Sequence, residues 1–352
     1  MIKHAKSISG INGFYTDESH NLIYYIQHQT GGLTIYCMDV STFEITSWQI
    51  FIALPENTFF SAWNVRHGYI FLNFSGSLHI YRVTDASLRA IHKGAYHCSD
   101  TESFIMEVAD GSTFNLVKRS LEHDEILWII PDFPNAFVQC AGKYLIASPK
   151  EDRRHSLIGY SGVTGEKLWT VDVSNYGTAR INPFLPQEPC SICGEILIHQ
   201  DLAAVLLSVG KLLVLELFSG RQHALIPDFG TNVFLTNDGK VYEMTKNRYG
   251  FADLQEGKYI PVRQDWGTTD KEIFAGGFLT RFSLSVNHVY GCTTSGLLFT
   301  LHRDSGRILE KQKLPLPIDG FVPAIYFPYI IGLRLIVLDN EGTIHLYKLS
   351  PQ

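Results

Sequence analysis

GKLLVLELF, Gly210 to Phe218, reads as one β-strand: a turn glycine, a lysine, then an apolar run broken only by Glu216. Five further segments share this form: GGLTIYCMDV from Gly31, GSLHIYRV from Gly76, GSTFNLVK from Gly111, GLLFTLHR from Gly296 and GTIHLYKLS from Gly342. Dipeptides such as Ser75-Gly76, Asp110-Gly111, Asp238-Gly239 and Ser295-Gly296 suit two-residue hairpins, because glycine accepts the positive φ that those turns impose. Two less regular units complete the series, SLIGYSG from Ser156 and FADLQEG from Phe251, the latter following the hairpin FLTNDGKVYEM.

Eight units over 352 residues average 44 residues each, the period of propeller blades. Nothing in the chain sustains an apolar i, i+3, i+4 pattern for three turns. The expected fold is therefore all-β: a closed β-propeller of about eight four-stranded blades, with seven as the alternative, forming a single domain over residues 1–352. GTIHLYKLS ends one strand short of a blade, while IKHAKSI (Ile2–Ile8) precedes the first complete one. The N-terminal strand is expected to complete the last blade and leave no open edge there.

Composition narrows the function. With 45% hydrophobic and 12% aromatic residues there is apolar surface for a large core. The net charge is −6 and no Lys/Arg run exceeds two residues, so the phosphate-neutralising surface of a nucleic-acid binder is absent. The greasiest segment, Ile196 to Phe218, is interrupted by His199, Gln200, Asp201, Lys211 and Glu216, which argues against a spanning helix or a membrane partner. No secretory leader is expected, since MIKHAKSISGINGFY has no apolar stretch of seven residues. The six scattered cysteines are expected as reduced thiols in a cytoplasmic, monomeric protein.

The segment from Gly159 to Trp169, GYSGVTGEKLW, resembles the blade signature of quinoprotein-type (PQQ-like) β-propellers, Ala-x-Asp-x-x-Thr-Gly-x-x-x-Trp. Thr164, Gly165 and Trp169 match it, whereas Gly159 and Ser161 replace its Ala and Asp. Elsewhere the likeness decays: Ser219-Gly220 and Ser305-Gly306 keep the turn, but Ala224 and Glu310 stand where Trp would be, and Trp48 is one residue out of register. The resemblance implies a Thr-Gly turn between third and fourth strands, and a Trp that docks on a neighbouring blade. Lacking adjacent cysteines, the chain is similar to the cofactor-free branch, whose members serve as scaffolds; no cofactor and no metal are expected.

Cys190-x-x-Cys193 has the spacing of half a zinc site or a redox pair, without a second pair to complete it. Lys150 to His155, KEDRRH, is the densest charge cluster and reads as a hairpin tip. Ile181 to Cys193, with three prolines, reads as a long loop. The stretches NTFFSAW, SNYGTARINPF and RQDWGTTD combine aromatics with arginine, residue types that carry binding energy at protein interfaces. These features select Trp63, Arg153, Arg154, Tyr176, Arg180, Phe184 and Trp266 as partner-contacting residues. The expected function is a non-catalytic scaffold that binds another protein through loops on one face, with an immunity-type inhibitor of a toxin or enzyme as one form. The alternative is an enzyme, a glycan hydrolase or lyase or a degenerate quinoprotein, with its site in the central channel.

Overall fold

The computed structural model describes residues 2–17, 21–29, 32–53, 60–150, 152–180, 186–267, 279–314, 327–339 and 342–349. Among these, eight four-stranded antiparallel sheets follow one another, the blades of an all-β, eight-bladed β-propeller. Blade 1 is Ile11–Asp17, Leu22–Gln29, Gly32–Asp39 and Glu44–Ala53. Blade 2 is Phe60–Arg66, Tyr69–Phe74, Ser77–Arg82 and Leu88–Lys93; blade 3 is Ala95–Ser99, Ser103–Asp110, Thr113–Ser120 and Ile126–Ile130. Blade 4 is Ala136–Ala141, Tyr144–Pro149, Ser156–Ser161 and Lys167–Asp172; blade 5 is Ile192–His199, Leu202–Leu207, Lys211–Glu216 and Gln222–Ile226. Blade 6 is Val233–Leu235, Lys240–Met244, Tyr249–Asp253 and Lys258–Arg263; blade 7 is Leu279–Leu284, His288–Thr293, Leu297–His302 and Ile308–Lys313. Blade 8 combines Phe327–Ile331, Arg334–Leu338 and Ile344–Leu349 with the N-terminal strand Ile2–Ile8, which pairs antiparallel with Ile344–Leu349. Eight blades replace the seven-blade alternative, and the N-terminal strand lies where the spare segment predicted.

The glycine-led segments are the third strands of their blades. At Ser75-Gly76 both turn residues have positive φ, 50° and 71°, the two-residue turn that matches the twist of the strands it joins. Second strands are buried on both faces, so Leu202–Leu207 is buried at every position and reads as an unbroken apolar run rather than an alternating one. Fourth strands turn one side to solvent, which leaves Leu88, Ile91, Ile126, Leu127 and Ile129 exposed.

Two compact units divide the chain: Met1–Glu56 with Asn232–Asp253 and Tyr259–Gln352, and Asn57–Thr231 with Leu254–Lys258. In each, the core lies between successive sheets. In the second unit Ile146, Leu157 and Trp169 of blade 4 meet Val205, Leu213 and Leu215 of blade 5. In the first, Leu335, Val337 and Tyr347 of blade 8 meet Tyr290, Cys292 and Leu298 of blade 7.

One device recurs from blade to blade. In blades 1 to 7 the turn from third to fourth strand holds a left-handed residue, in order Phe43, Ala86, Asp124, Gly165, Gly220, Gly257 and Gly306. A donor on a fourth strand then reaches a carbonyl in the next blade's turn. Trp128 reaches Gly162 at 3.1 Å, Trp169 reaches Leu217 at 2.7 Å, His223 reaches Gln255 at 3.0 Å, and Arg263 reaches Gly306 at 3.0 Å. Arg89 does the same to Glu122. A Trp in this role buries its ring, a gross gain of about 4–6 kcal/mol, and its N–H finds the partner that burial demands. The Trp128 position was not evident from sequence, because its blade's turn carries His123-Asp124 in place of Thr-Gly.

The cysteines correct one expectation. Cys98 and Cys140 form a disulfide, with Cα atoms 6.1 Å apart and a sequence separation of 42. They sit on the first strands of blades 3 and 4, close to one blade period apart, so the repeat itself brings them side by side. Cys37, Cys190, Cys193 and Cys292 lie outside any disulfide.

Candidate functional site

Strands alternate in direction within a blade, so the turn from second to third strand and the connection to the following blade emerge at the same end. In blade 4 these are the KEDRRH turn and the long crossover to blade 5, and the structure joins them. Arg153 Nη1 meets Glu188 Oε1 at 3.2 Å, Arg154 Nη2 donates to the Gly194 carbonyl at 2.8 Å, and the Ile192 N–H donates to the Arg154 carbonyl at 3.0 Å. His155 Nδ1 lies 2.8 Å from the Cys190 carbonyl and, facing an acceptor, carries the proton.

Arg153 and Arg154 are consecutive non-glycine residues in the left-handed region, with φ of 54° and 62°. Each costs about 1–2 kcal/mol there. The N–H groups of Arg153 and Arg154 hold the tip closed by bonding the Lys150 and Pro149 carbonyls at 3.0 and 3.1 Å. Beneath the tip Phe137, 49% exposed, lies under two cations: Arg154 Cζ is 4.4 Å and Lys150 Nζ 4.7 Å from its ring centroid. Burial lowers the pKa of Arg154, opposed by nearby Cys193, yet a guanidinium keeps its charge. The Arg153–Glu188 pair, with side chains 74% and 41% exposed, adds little stability, which leaves Arg153 free to change partners.

Tyr176 belongs to the same end. It closes the 3-10 turn Ser174–Tyr176, its hydroxyl donates to Gln222 Oε1 at 2.8 Å, and its carbonyl accepts Lys211 Nζ at 3.1 Å. Arg180 is exposed beside the short ribbon that pairs Thr178–Ala179 with Glu188–Pro189. The loop reading of residues 181–193 is corrected in part: Glu188–Pro189 is ribbon, and Ile192 opens blade 5. Phe184 lies outside the described residues.

Two selected residues are elsewhere and buried. Trp63 is 7% exposed within the first strand of blade 2, and Trp266 is 1% exposed with its indole N–H donated to the Thr245 carbonyl at 3.1 Å. Their reading as exposed loop aromatics is corrected; both rings serve packing. Sequence reasoning did not select Phe137 or Lys150, although an aromatic two residues into the first strand after FPN is a signal of the same kind.

Cys190 is buried and Cys193 half-buried. Burial pushes both thiols above their ordinary value, outweighing the pull of Lys211 on Cys190 and of Arg154 on Cys193, so neither is a ready thiolate. Among the described residues no three His, Cys, Asp or Glu side chains are grouped to hold a metal ion, and no helix is long and apolar enough to cross a membrane.

No family model matches this chain, and no curated protein matches it. Solved structures do match over nearly full length. BamB from Moraxella catarrhalis aligns with TM-score 0.60 and 11% identity, covering 99% of this chain and 100% of that one. The C-terminal WD40 domain of Sif2 aligns with TM-score 0.66 and 9% identity, covering 100% and 99%. Sqt1 from Chaetomium thermophilum, solved bound to the N-terminus of the ribosomal protein L10, aligns with TM-score 0.61 and 10% identity, covering 97% of each chain. At these identities the likeness is one of fold.

Proposed function

We propose that this chain is a single-domain propeller scaffold that binds another protein through the blade 4–blade 5 end described above. The observation that carries the reading is the paired left-handed Arg153 and Arg154, the second lying over exposed Phe137. Strained backbone held in place by surrounding bonds is a feature of recognition sites, and Arg with an aromatic ring is the pairing that anchors interfaces. Tyr176 and Arg180 extend the surface along the crossover, and Phe184 belongs to the same stretch of sequence. That a structurally similar propeller, Sqt1, was solved with a protein segment bound supports the class. The GYSGVTGEKLW turn supports placement in the cofactor-free quinoprotein-type branch.

One concrete form is an immunity-type inhibitor that caps a toxin or enzyme, acting as a monomer in the cytoplasm. Four of the six cysteines lie outside any disulfide, which supports a reducing compartment. The test is affinity capture from the native host with the wild-type chain and with an Arg153→Glu/Arg180→Glu variant. A partner held by the wild type and released by the variant is the expected result. A partner held equally by both removes this surface, and recovery of no stable partner removes the class.

A further inference from the structure

The pairing of the two chain ends in blade 8 creates a second polar constellation. Ser7 on the N-terminal strand stands directly opposite His345 on Ile344–Leu349, and its Oγ lies 3.1 Å from His345 Nδ1. On the far side of the ring, His345 Nε2 is 3.0 Å from Asp339 Oδ2, with the side chains of His345 and Asp339 only 6% and 8% exposed. The other carboxylate oxygen, Oδ1, accepts the Thr343 N–H at 2.9 Å. A register shift between His4 and Lys6 brings His4 onto the same side as Ser7, with His4 Nε2 3.0 Å from Ser7 Oγ. Bulges re-aim side chains in this way beside reactive sites.

With His345 neutral, one proton arrangement satisfies the network. A carboxylate only accepts, so Nε2 carries the ring's one proton and Nδ1 is bare. Ser7 Oγ–H then donates to Nδ1, and the free lone pair on that oxygen takes the His4 Nε2–H. The result is a hydroxyl on an exposed residue whose proton points at an imidazole that is itself oriented by a buried carboxylate. That is the arrangement of an activated nucleophile.

We propose that Ser7 is a nucleophile toward small activated acyl and phosphonyl groups, with His345 as its general base, and Asp339 and His4 as positioning residues, the first holding the imidazole and the second orienting Oγ. With an aryl ester, Oγ bonds to the carbonyl carbon as the Oγ–H proton passes to His345 Nδ1. The ester C–O bond breaks and the leaving phenolate takes that proton. Water, deprotonated by the same nitrogen, then cleaves the acyl–Oγ ester and restores Ser7.

The experiment treats the full chain with a fluorophosphonate probe and with 4-nitrophenyl acetate, followed by intact mass and peptide mapping. A single adduct at Ser7 is expected, absent from Ser7→Ala, with labelling slowed about tenfold or more in Asp339→Asn. No adduct, an adduct mapping elsewhere, or an unchanged rate in a folded Asp339→Asn variant overturns the proposal. Should that variant fail to fold, the wild-type pH profile decides. A rate that rises through one deprotonation and then levels off supports it, whereas a rate that climbs with hydroxide concentration without levelling overturns it.

Discussion

The indole N–H of Trp169 donates to the Leu217 carbonyl at 2.7 Å, 48 residues further along the chain, and the Trp169 ring fills the space over Gly220 that any side chain there would need. Gly159 is required for the same reason, since a Cβ at that position would fall 2.1 Å from the Trp169 ring. Blade 4 is thereby fastened to blade 5 by one side chain and two residues that have none. Trp169→Ala is expected to destabilise the protein by about 3–5 kcal/mol, read as a lower midpoint in urea unfolding. Gly220→Ala, with φ of 66° and a Cβ placed 2.6 Å from the ring, is expected to cost more than about 1 kcal/mol in the same assay.

Glu243 is fully buried in blade 6 and accepts a hydrogen bond from Arg248 Nε at 2.6 Å. The Arg248 side chain keeps 30% exposure, so removing it takes a charged donor from a fully buried carboxylate, while removing the carboxylate leaves a cation that water can reach. Arg248→Ala is expected to lower stability by about 3–5 kcal/mol, and a double variant with Glu243→Ala is expected to lose less than the sum of the single losses. A double-mutant cycle by chemical denaturation measures the coupling.

The Cys98–Cys140 bond makes a countable prediction. Denatured, unreduced protein should expose four titratable thiols, and six after reduction. Closing a loop of 42 residues is worth about 3–4 kcal/mol, so Cys98→Ser should lower the unfolding midpoint of the oxidised protein and leave that of the reduced protein nearly unchanged.

Asp100 links stability to pH. Burial pulls its pKa upward but is outweighed by the hydroxyl of Ser103, the N–H groups of Glu102 and Ser103, and the charge of Lys118, so it lies below its ordinary 3.8. A carboxyl with a depressed folded value stabilises above the unfolded pKa and loses that contribution as pH falls through the folded value. The stability gap between wild type and Asp100→Asn should therefore be full above about pH 5 and shrink as pH drops below 3.8, followed by thermal unfolding across that range.

Deletion of residues 1–9 removes the strand that pairs with Ile344–Leu349 and exposes that strand's edge. A fall in unfolding temperature of at least about 5 °C is expected; an unchanged melting curve would deny the latch its role.

Much of the fold was legible in the residues alone. Period, hairpin dipeptides and the absence of helical pattern depend on neighbours a few positions apart, and these produced the blade count and the spare strand at the N-terminus. The repeat turn was legible only where glycine marks it. At Phe43, Ala86 and Asp124 the same left-handed turn is filled by ordinary residues, each N–H bonded to the carbonyl four residues back, of Asp39, Arg82 and Ser120, so the signature faded although the geometry did not.

Side-chain destinations were another matter. Trp63 and Trp266 carry the same local signals as exposed aromatics, and only the packing of sheet on sheet decided that they are buried. Arg154 finds Gly194, Cys98 finds Cys140 and Ser7 finds His345 across separations of 40, 42 and 338 residues. A linear sequence dictates which backbone segments form strands, because that choice is made by alternation and turns within each segment. Which polar groups end up within 3 Å of one another is set when the strands pair and the blades pack, and no spacing rule along the chain encodes it.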